Sequence, residues 1–212
     1  DPTEKMAYYR RGHVYDDLDD YIKAIQDFSR VIELDPKYDF AYYWRGFMYA
    51  YQENWPKALQ DFSKAIELDP EWTNAYKRRA GCYYQQGDFA NAVLDFTQAI
   101  QLEPDDAELY RRRGHAYLDQ QSITNALRDY SKALELDPQD VFSYMGCGIT
   151  RAIQGDFQSA LEDFSSAIDI NSEHVQAYKL RGDVQIELGN YDIALADYRK
   201  AVELDPANQE FV

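Results

Sequence analysis

Residues 42–70 read YYWRGFMYAYQENWPKALQDFSKAIELDP, and residues 76–104 read YKRRAGCYYQQGDFANAVLDFTQAIQLEP. Laid over each other at a step of 34 (76 minus 42), they agree in the positions of aromatic, small and acidic residues and in the closing proline. The same step carries through the chain. Pro36, Pro70, Pro104, Pro138 and Pro206 form one series, with Ser172 in the gap, and each follows a pair such as Leu34-Asp35, Leu102-Glu103 or Ile170-Asn171. Proline ends a helix and restricts the residue before it, so the chain is punctuated by turns at a fixed period.

Between the turns, Tyr8, Tyr42, Tyr76, Tyr110, Tyr144 and Tyr178 are each followed four residues later by Gly12, Gly46, Ala80, Gly114, Gly148 and Gly182. Tyr15, Tyr49, Tyr83 and Tyr117 complete an i, i+4, i+7 stripe, which Arg151 and Gln185 interrupt in the last two units. That pattern predicts one amphipathic helix per unit. A second helix is marked by Ala24, Ala58, Ala92, Ala126, Ala160 and Ala194. Each is followed four residues on by Phe28, Phe62, Phe96, Tyr130, Phe164 or Tyr198. The connections carry Gly87, Gly155 and Gly189, or polar pairs such as Asp19-Asp20 and Glu53-Asn54, which suits tight antiparallel hairpins.

This order of residues resembles the tetratricopeptide repeat, in six tandem units at approximately 5–38, 39–72, 73–106, 107–140, 141–174 and 175–208. The resemblance implies an all-α fold, a right-handed superhelical α-solenoid of antiparallel helix pairs, here a single array over 1–212. Residues 209–212 read as the start of a further helix. The leading Trp of the family is Tyr throughout, and the Leu before the small residue is Arg11, Arg45, Arg79, Arg113 and Arg181, with Cys147 in the fifth unit. An equally regular acidic series, Asp27, Asp61, Asp95, Asp129, Asp163 and Asp197, predicts a structural ion pair repeated along the stack. The sequence leaves open whether each Arg meets the Asp of its own hairpin or of the preceding one.

The chain has 22 Lys and Arg against 38 Asp and Glu, a net charge of -16, which repels phosphate backbones. Single-stranded RNA binding through Arg and aromatic residues is a lesser alternative. No run of apolar residues is long enough to span a membrane. The two cysteines, Cys82 and Cys147, do not form a secretory disulfide framework, and a cytoplasmic setting is expected. His13, His115 and His174 lie in separate units, so no metal site is expected, and no nucleophile motif or phosphate loop is present. The expectation is a binding scaffold, not an enzyme, with no cofactor. It acts alone or as the targeting part of a larger protein.

Helical phase gives each first helix a side opposite its tyrosines, and the resemblance implies that this side binds. Residues on the side of each first helix away from its tyrosine stripe are expected, by the family resemblance, to line a groove for a peptide or protein segment. They are Tyr9, Arg10 and His13, then Phe40, Tyr43, Trp44 and Phe47. Lys77, Arg78, Arg111, Arg112 and His115 follow as a basic centre, and Phe142, Met145 and Ile149 as an apolar patch. An acidic or aromatic partner fits that order. Apolar residues of the last second helix, Leu195, Tyr198 and Val202, are expected to promote end-to-end self-association, apart from what Phe211 and Val212 cover.

Overall fold

The computed structural model describes residues 2–206, which contain twelve helices. The expected further helix at 209–212, with Phe211 and Val212, lies outside the described residues. The chain forms two compact units, Asp1–Pro104 and Asp105–Val212. The first holds α1 (Pro2–Asp17), α2 (Tyr21–Leu34), α3 (Asp39–Tyr51), α4 (Trp55–Leu68), α5 (Thr73–Gln85) and α6 (Phe89–Leu102). The second holds α7 (Ala107–Asp119), α8 (Ile123–Leu136), α9 (Val141–Ile153), α10 (Phe157–Ile170), α11 (Val175–Glu187) and α12 (Tyr191–Leu204). Each unit is three helical hairpins, and within a unit the second helix of one hairpin packs on the first helix of the next.

The repeat positions account for the packing. The aromatic ring of each second helix lies against the small residue of the first: a Cβ added at Gly12, Gly114 or Gly148 would sit 2.9, 2.8 or 2.6 Å from Phe28, Tyr130 or Phe164. Phe28, Phe62, Tyr130 and Phe164 are buried, each with the alanine one turn before it. Tyr130 is gripped from both sides, because Gly146 of the following hairpin also approaches its ring, with an added Cβ at 2.6 Å.

Two turn types alternate. Inside each hairpin one residue takes a left-handed backbone, at Asp19, Glu53, Gly87, Gln121, Gly155 and Gly189, again 34 apart. Between hairpins the Asp of the Asp-Pro pair accepts a backbone N–H two residues on: Asp35 from Lys37 at 3.2 Å, Asp69 from Glu71 at 3.1 Å and Asp137 from Gln139 at 3.0 Å. Asn171 does the same for Glu173 at 3.0 Å, so the turn survives where Ser172 replaces proline.

The arginine series meets the aspartate of its own hairpin. Arg11, Arg45, Arg79, Arg113 and Arg181 each donate Nε and Nη2 to both carboxylate oxygens of Asp27, Asp61, Asp95, Asp129 and Asp197 at 2.6 to 2.9 Å. These are fork-to-carboxylate pairs, the strongest geometry available to arginine. Arg45, Arg79 and Arg181 also tie hairpins together. Nη1 of Arg45, Arg79 and Arg181 donates to Ser29, Ser63 and Ser165 of the preceding hairpin at 3.1, 2.9 and 3.1 Å. In the fifth hairpin, where Cys147 stands in the series, Arg151 reaches in from one turn later and bonds Asp163 through Nη1 alone, at 2.6 Å. Burial outweighs the Arg151 contact, and the Asp163 carboxyl is pushed up to about 6.

Candidate functional face

In the first unit, α1, α3 and the turns that lead into α3 and α5 carry a connected run of aromatic rings. Tyr9 meets Tyr38 edge-on at 5.3 Å between centroids, Tyr38 meets Phe40 at 5.8 Å, and Phe40 meets Trp72 at 4.8 Å. Trp72 stacks on Tyr43 at 4.5 Å, and Tyr43 meets Trp44 at 5.4 Å. Trp44 lies edge-on to His13 at 4.5 Å and to Phe47 at 5.6 Å, and Phe47 meets Tyr51 at 4.8 Å. Such ring pairs contribute about 0.5–1.5 kcal/mol each beyond area burial, so the run is held in place by its own contacts.

Of the residues expected on this face, Phe40 is exposed, and Tyr9, His13, Trp44 and Phe47 are half-buried. Tyr43, at 7% exposure, is instead part of the core and supports the others. Arg10 and Arg78 are exposed, and Lys77 is half-buried. The Arg78 guanidinium lies over the Phe47 ring, 4.4 Å from its centre. Burial lowers the His13 pKa, so at neutral pH it serves as a neutral ring rather than a cation.

Two members of the run, Tyr38 and Trp72, are absent from the sequence-derived set. Both sit at the N-cap of a first helix and make no side-chain cap hydrogen bond. In the second unit the same repeat position holds Asp106, Asp140 and His174, and each of these side chains does accept a backbone N–H. The first unit thus forgoes a cap contribution of about 1 kcal/mol twice and gains two rings on the face. The signal was in the repeat register, where two aromatics occupy a capping position.

The second unit differs in chemistry. Arg111 pairs with Asp140 at 3.1 Å and lies over the exposed Phe142 ring, 5.3 Å from its centre. Arg112 pairs with Glu108 one turn earlier at 2.7 Å. The His115 Nδ1 shares a 2.9 Å hydrogen bond with the Tyr130 hydroxyl, and burial lowers its pKa. These cations are therefore already engaged by acids of their own unit. Met145, at 6% exposure, is core and not surface, while Ile149 remains half-buried on the face. Cys82 and Cys147 are buried thiols, pushed up by burial to about 11 and about 12. Among the described residues, no three His, Cys, Asp or Glu side chains are placed to hold a metal ion, and no helix is long and apolar enough to cross a membrane.

The tetratricopeptide repeat profile matches residues 6–38, 40–71, 107–140 and 175–208, and a related repeat profile matches 82–121. No curated protein matches the sequence. Among solved structures, a tetratricopeptide repeat protein from Parabacteroides merdae superposes with a TM-score of 0.84 at 20% identity, covering 95% of this chain and 80% of that one. PilW, described as a widely conserved type IV pilus biogenesis factor, gives 0.83 at 18% identity, over 98% of this chain and 96% of that one. YrrB, described as a protein of this repeat type with an unusual peptide-binding site, gives 0.69 at 22% identity, over 87% and 95%. At these identities the likeness is one of fold.

Proposed function

This chain belongs to the tetratricopeptide repeat family, and from that premise we propose that it is a scaffold that binds a peptide or protein segment along its first-helix face and carries out no catalysis itself. The observation that carries the reading is the aromatic run of the first unit. Two of its rings are exposed, Phe40 at 45% and Tyr51 at 56%. Large aromatics left at a surface and fixed by their neighbours are the composition of an interface core, where little ordering entropy remains to be lost. Tyr9, Arg10, His13, Phe40, Trp44, Phe47, Lys77 and Arg78 make up the contact set in this unit, with Tyr43 behind them and Trp72 added to them. The exposed Arg78 beside Phe47 gives the aromatic surface a cation, which suits a segment carrying both aromatic and acidic residues. In the second unit Arg111, Arg112, His115, Phe142 and Ile149 make up a set of their own, with Met145 as support. The peptide-binding site named for YrrB lends the reading weight by likeness of fold. Two buried, unlinked thiols suit the cytoplasmic setting that belongs to this reading, whether the chain works alone or targets a larger protein.

The test is selection of a displayed library of random peptides against the chain, followed by affinity measurement on variants. Trp44→Ala should weaken selected peptides at least about tenfold, which is about 1.4 kcal/mol, at any salt concentration. Arg78→Glu should weaken the acidic ones most at low salt, because exposed charge pairs are screened. Selected peptides that bind both variants as tightly as the parent would place recognition elsewhere on the chain.

A further inference from the structure

Between α9 and α11 of the second unit lies an open crevice of about 390 Å³. Ile149, Ile153, Phe157, Leu180 and Val184 wall it, and the buried Phe164 ring is its deepest element. Its size falls at the low end of small-ligand sites, which run from about 300 Å³ upward, enough for one large side chain and its neighbour. Repeat register explains why it is open. Leu180 and Asp183 stand at the positions held in the first unit by Trp44 and Phe47, where rings reach from α3 to His13 of α1 and close the equivalent space. With a leucine and a short carboxylate in their place, that volume is left unfilled.

Among the described residues lining the crevice, the charged ones are Asp183 and Glu187, both acidic and both exposed. They are one turn apart on α11, on the same edge of the opening. Tyr198 donates a 2.6 Å hydrogen bond to Oδ1 of Asp183, which fixes that carboxylate in place and leaves its second oxygen for a partner. The chain's charge of -16 adds a field of the same sign. An apolar hole beside a fixed carboxylate selects a particular neighbour pair in a ligand.

We infer that this crevice receives a bulky apolar side chain, phenylalanine or leucine, from a partner segment in which the adjacent residue is lysine or arginine. The inference rests on the reading that first-helix faces bind peptide segments, and it gives the second unit a preference opposite in charge to that of the first. Burying the apolar side chain supplies affinity, and pairing of the cation with Asp183 and Glu187 sets orientation and selectivity.

The experiment uses the whole chain with isoleucine methyl labels and two end-blocked dipeptides, acetyl-Phe-Lys-amide and acetyl-Phe-Glu-amide, titrated at millimolar concentration. The Lys probe should shift the Ile149 and Ile153 methyl resonances and bind about fivefold or more tightly than the Glu probe, the scale expected of an exposed charge pair. Asp183→Lys should invert that preference, and Leu180→Trp, which restores the closing ring, should abolish both titrations while leaving the helical spectrum unchanged. Equal affinity for the two probes, no shift at Ile149 and Ile153 with the Lys probe, or saturation that survives Leu180→Trp overturns the inference. Should the dipeptides fail while selected peptides still depend on Trp44, this crevice is not a subsite and the binding-face reading stands. Should the Lys probe bind here while Trp44→Ala is silent, the crevice stands and the first-unit face falls.

Discussion

The arginine and aspartate series shows how one residue pair can have different consequences in different hairpins. Arg79 and Asp95 are 19% and 7% exposed at the side chain, so removal of the guanidinium strands a buried carboxylate. Arg79→Ala should cost about 3–5 kcal/mol in chemical denaturation, with peptide affinity falling only in proportion to the folded fraction. Arg11 makes the same fork to Asp27 with its side chain 56% exposed, and Arg11→Ala should cost less. The sequence displayed both series, because a spacing of 34 is visible to counting. It did not display the partner choice, because helical phase points Arg toward its own hairpin and the preceding one alike, and the structure uses both, Asp for one and Ser for the other. Asp163 gives a pH signature. Its folded pKa of about 6 lies above its ordinary 3.8. The folded state therefore holds its proton more tightly, and the resulting stabilisation is full below 3.8 and lost as pH rises through about 6. Asp163→Asn lacks this term, so the melting temperature of the variant minus that of the parent should climb across that window. A flat difference would mean that Arg151 holds the carboxylate ionised.

At the scale of the element, each hairpin turn asks for a left-handed residue, and only half of them supply glycine for it. Glu53 and Gln121 take φ values of 55° and 60°. A side chain in that region costs about 1–2 kcal/mol, part of which glycine returns through its freer unfolded state. Glu53→Gly and Gln121→Gly should therefore each raise stability by about 0.5–1 kcal/mol, read as a higher denaturation midpoint at unchanged slope. Helix positions were largely legible from sequence, since prolines and turn residues mark them independently of packing. The proposed binding face was legible only in part. Counting at 100° per residue gives a direction, and Tyr43 and Met145 point as expected, yet the neighbouring hairpin covers them. Tyr38 and Trp72 escaped because they lie in the turns, outside any helical count, and join the face by replacing a capping side chain.

At the scale of the whole molecule, the α12 surface bears on self-association. Leu195 and Val202 are 47% and 36% exposed, where Leu161 and Ile168 at the same repeat positions of α10 are 9% and 8%. Apolar area of this kind favours contact with another copy. However, Arg199 stands where Ser29, Ser63 and Ser165 receive an arginine from the next hairpin, so a copy stacked in repeat register would set its Arg11 against Arg199. Association of the parent should therefore be weak, and Arg199→Ser should strengthen it about tenfold in sedimentation equilibrium, by removing the repulsion and restoring the acceptor; an unchanged constant would show that copies meet in another way. The exchange of Cys147 for arginine has a further consequence for how the second unit comes apart. Repeat arrays open at their weakest nearest-neighbour link. Between α8 and α9, among the described residues, no guanidinium crosses to Ser131, and the junction rests on the Tyr130 ring set against Gly146 and Cys147 and on the Arg111–Asp140 pair that reaches from α7. Amide hydrogen exchange should find α9 to α12 opening as one cooperative block, with α7 and α8 as a separate one, once Arg111→Ala removes the remaining polar tie, so that one exchange in the repeat sets a tear line along which the second unit unzips.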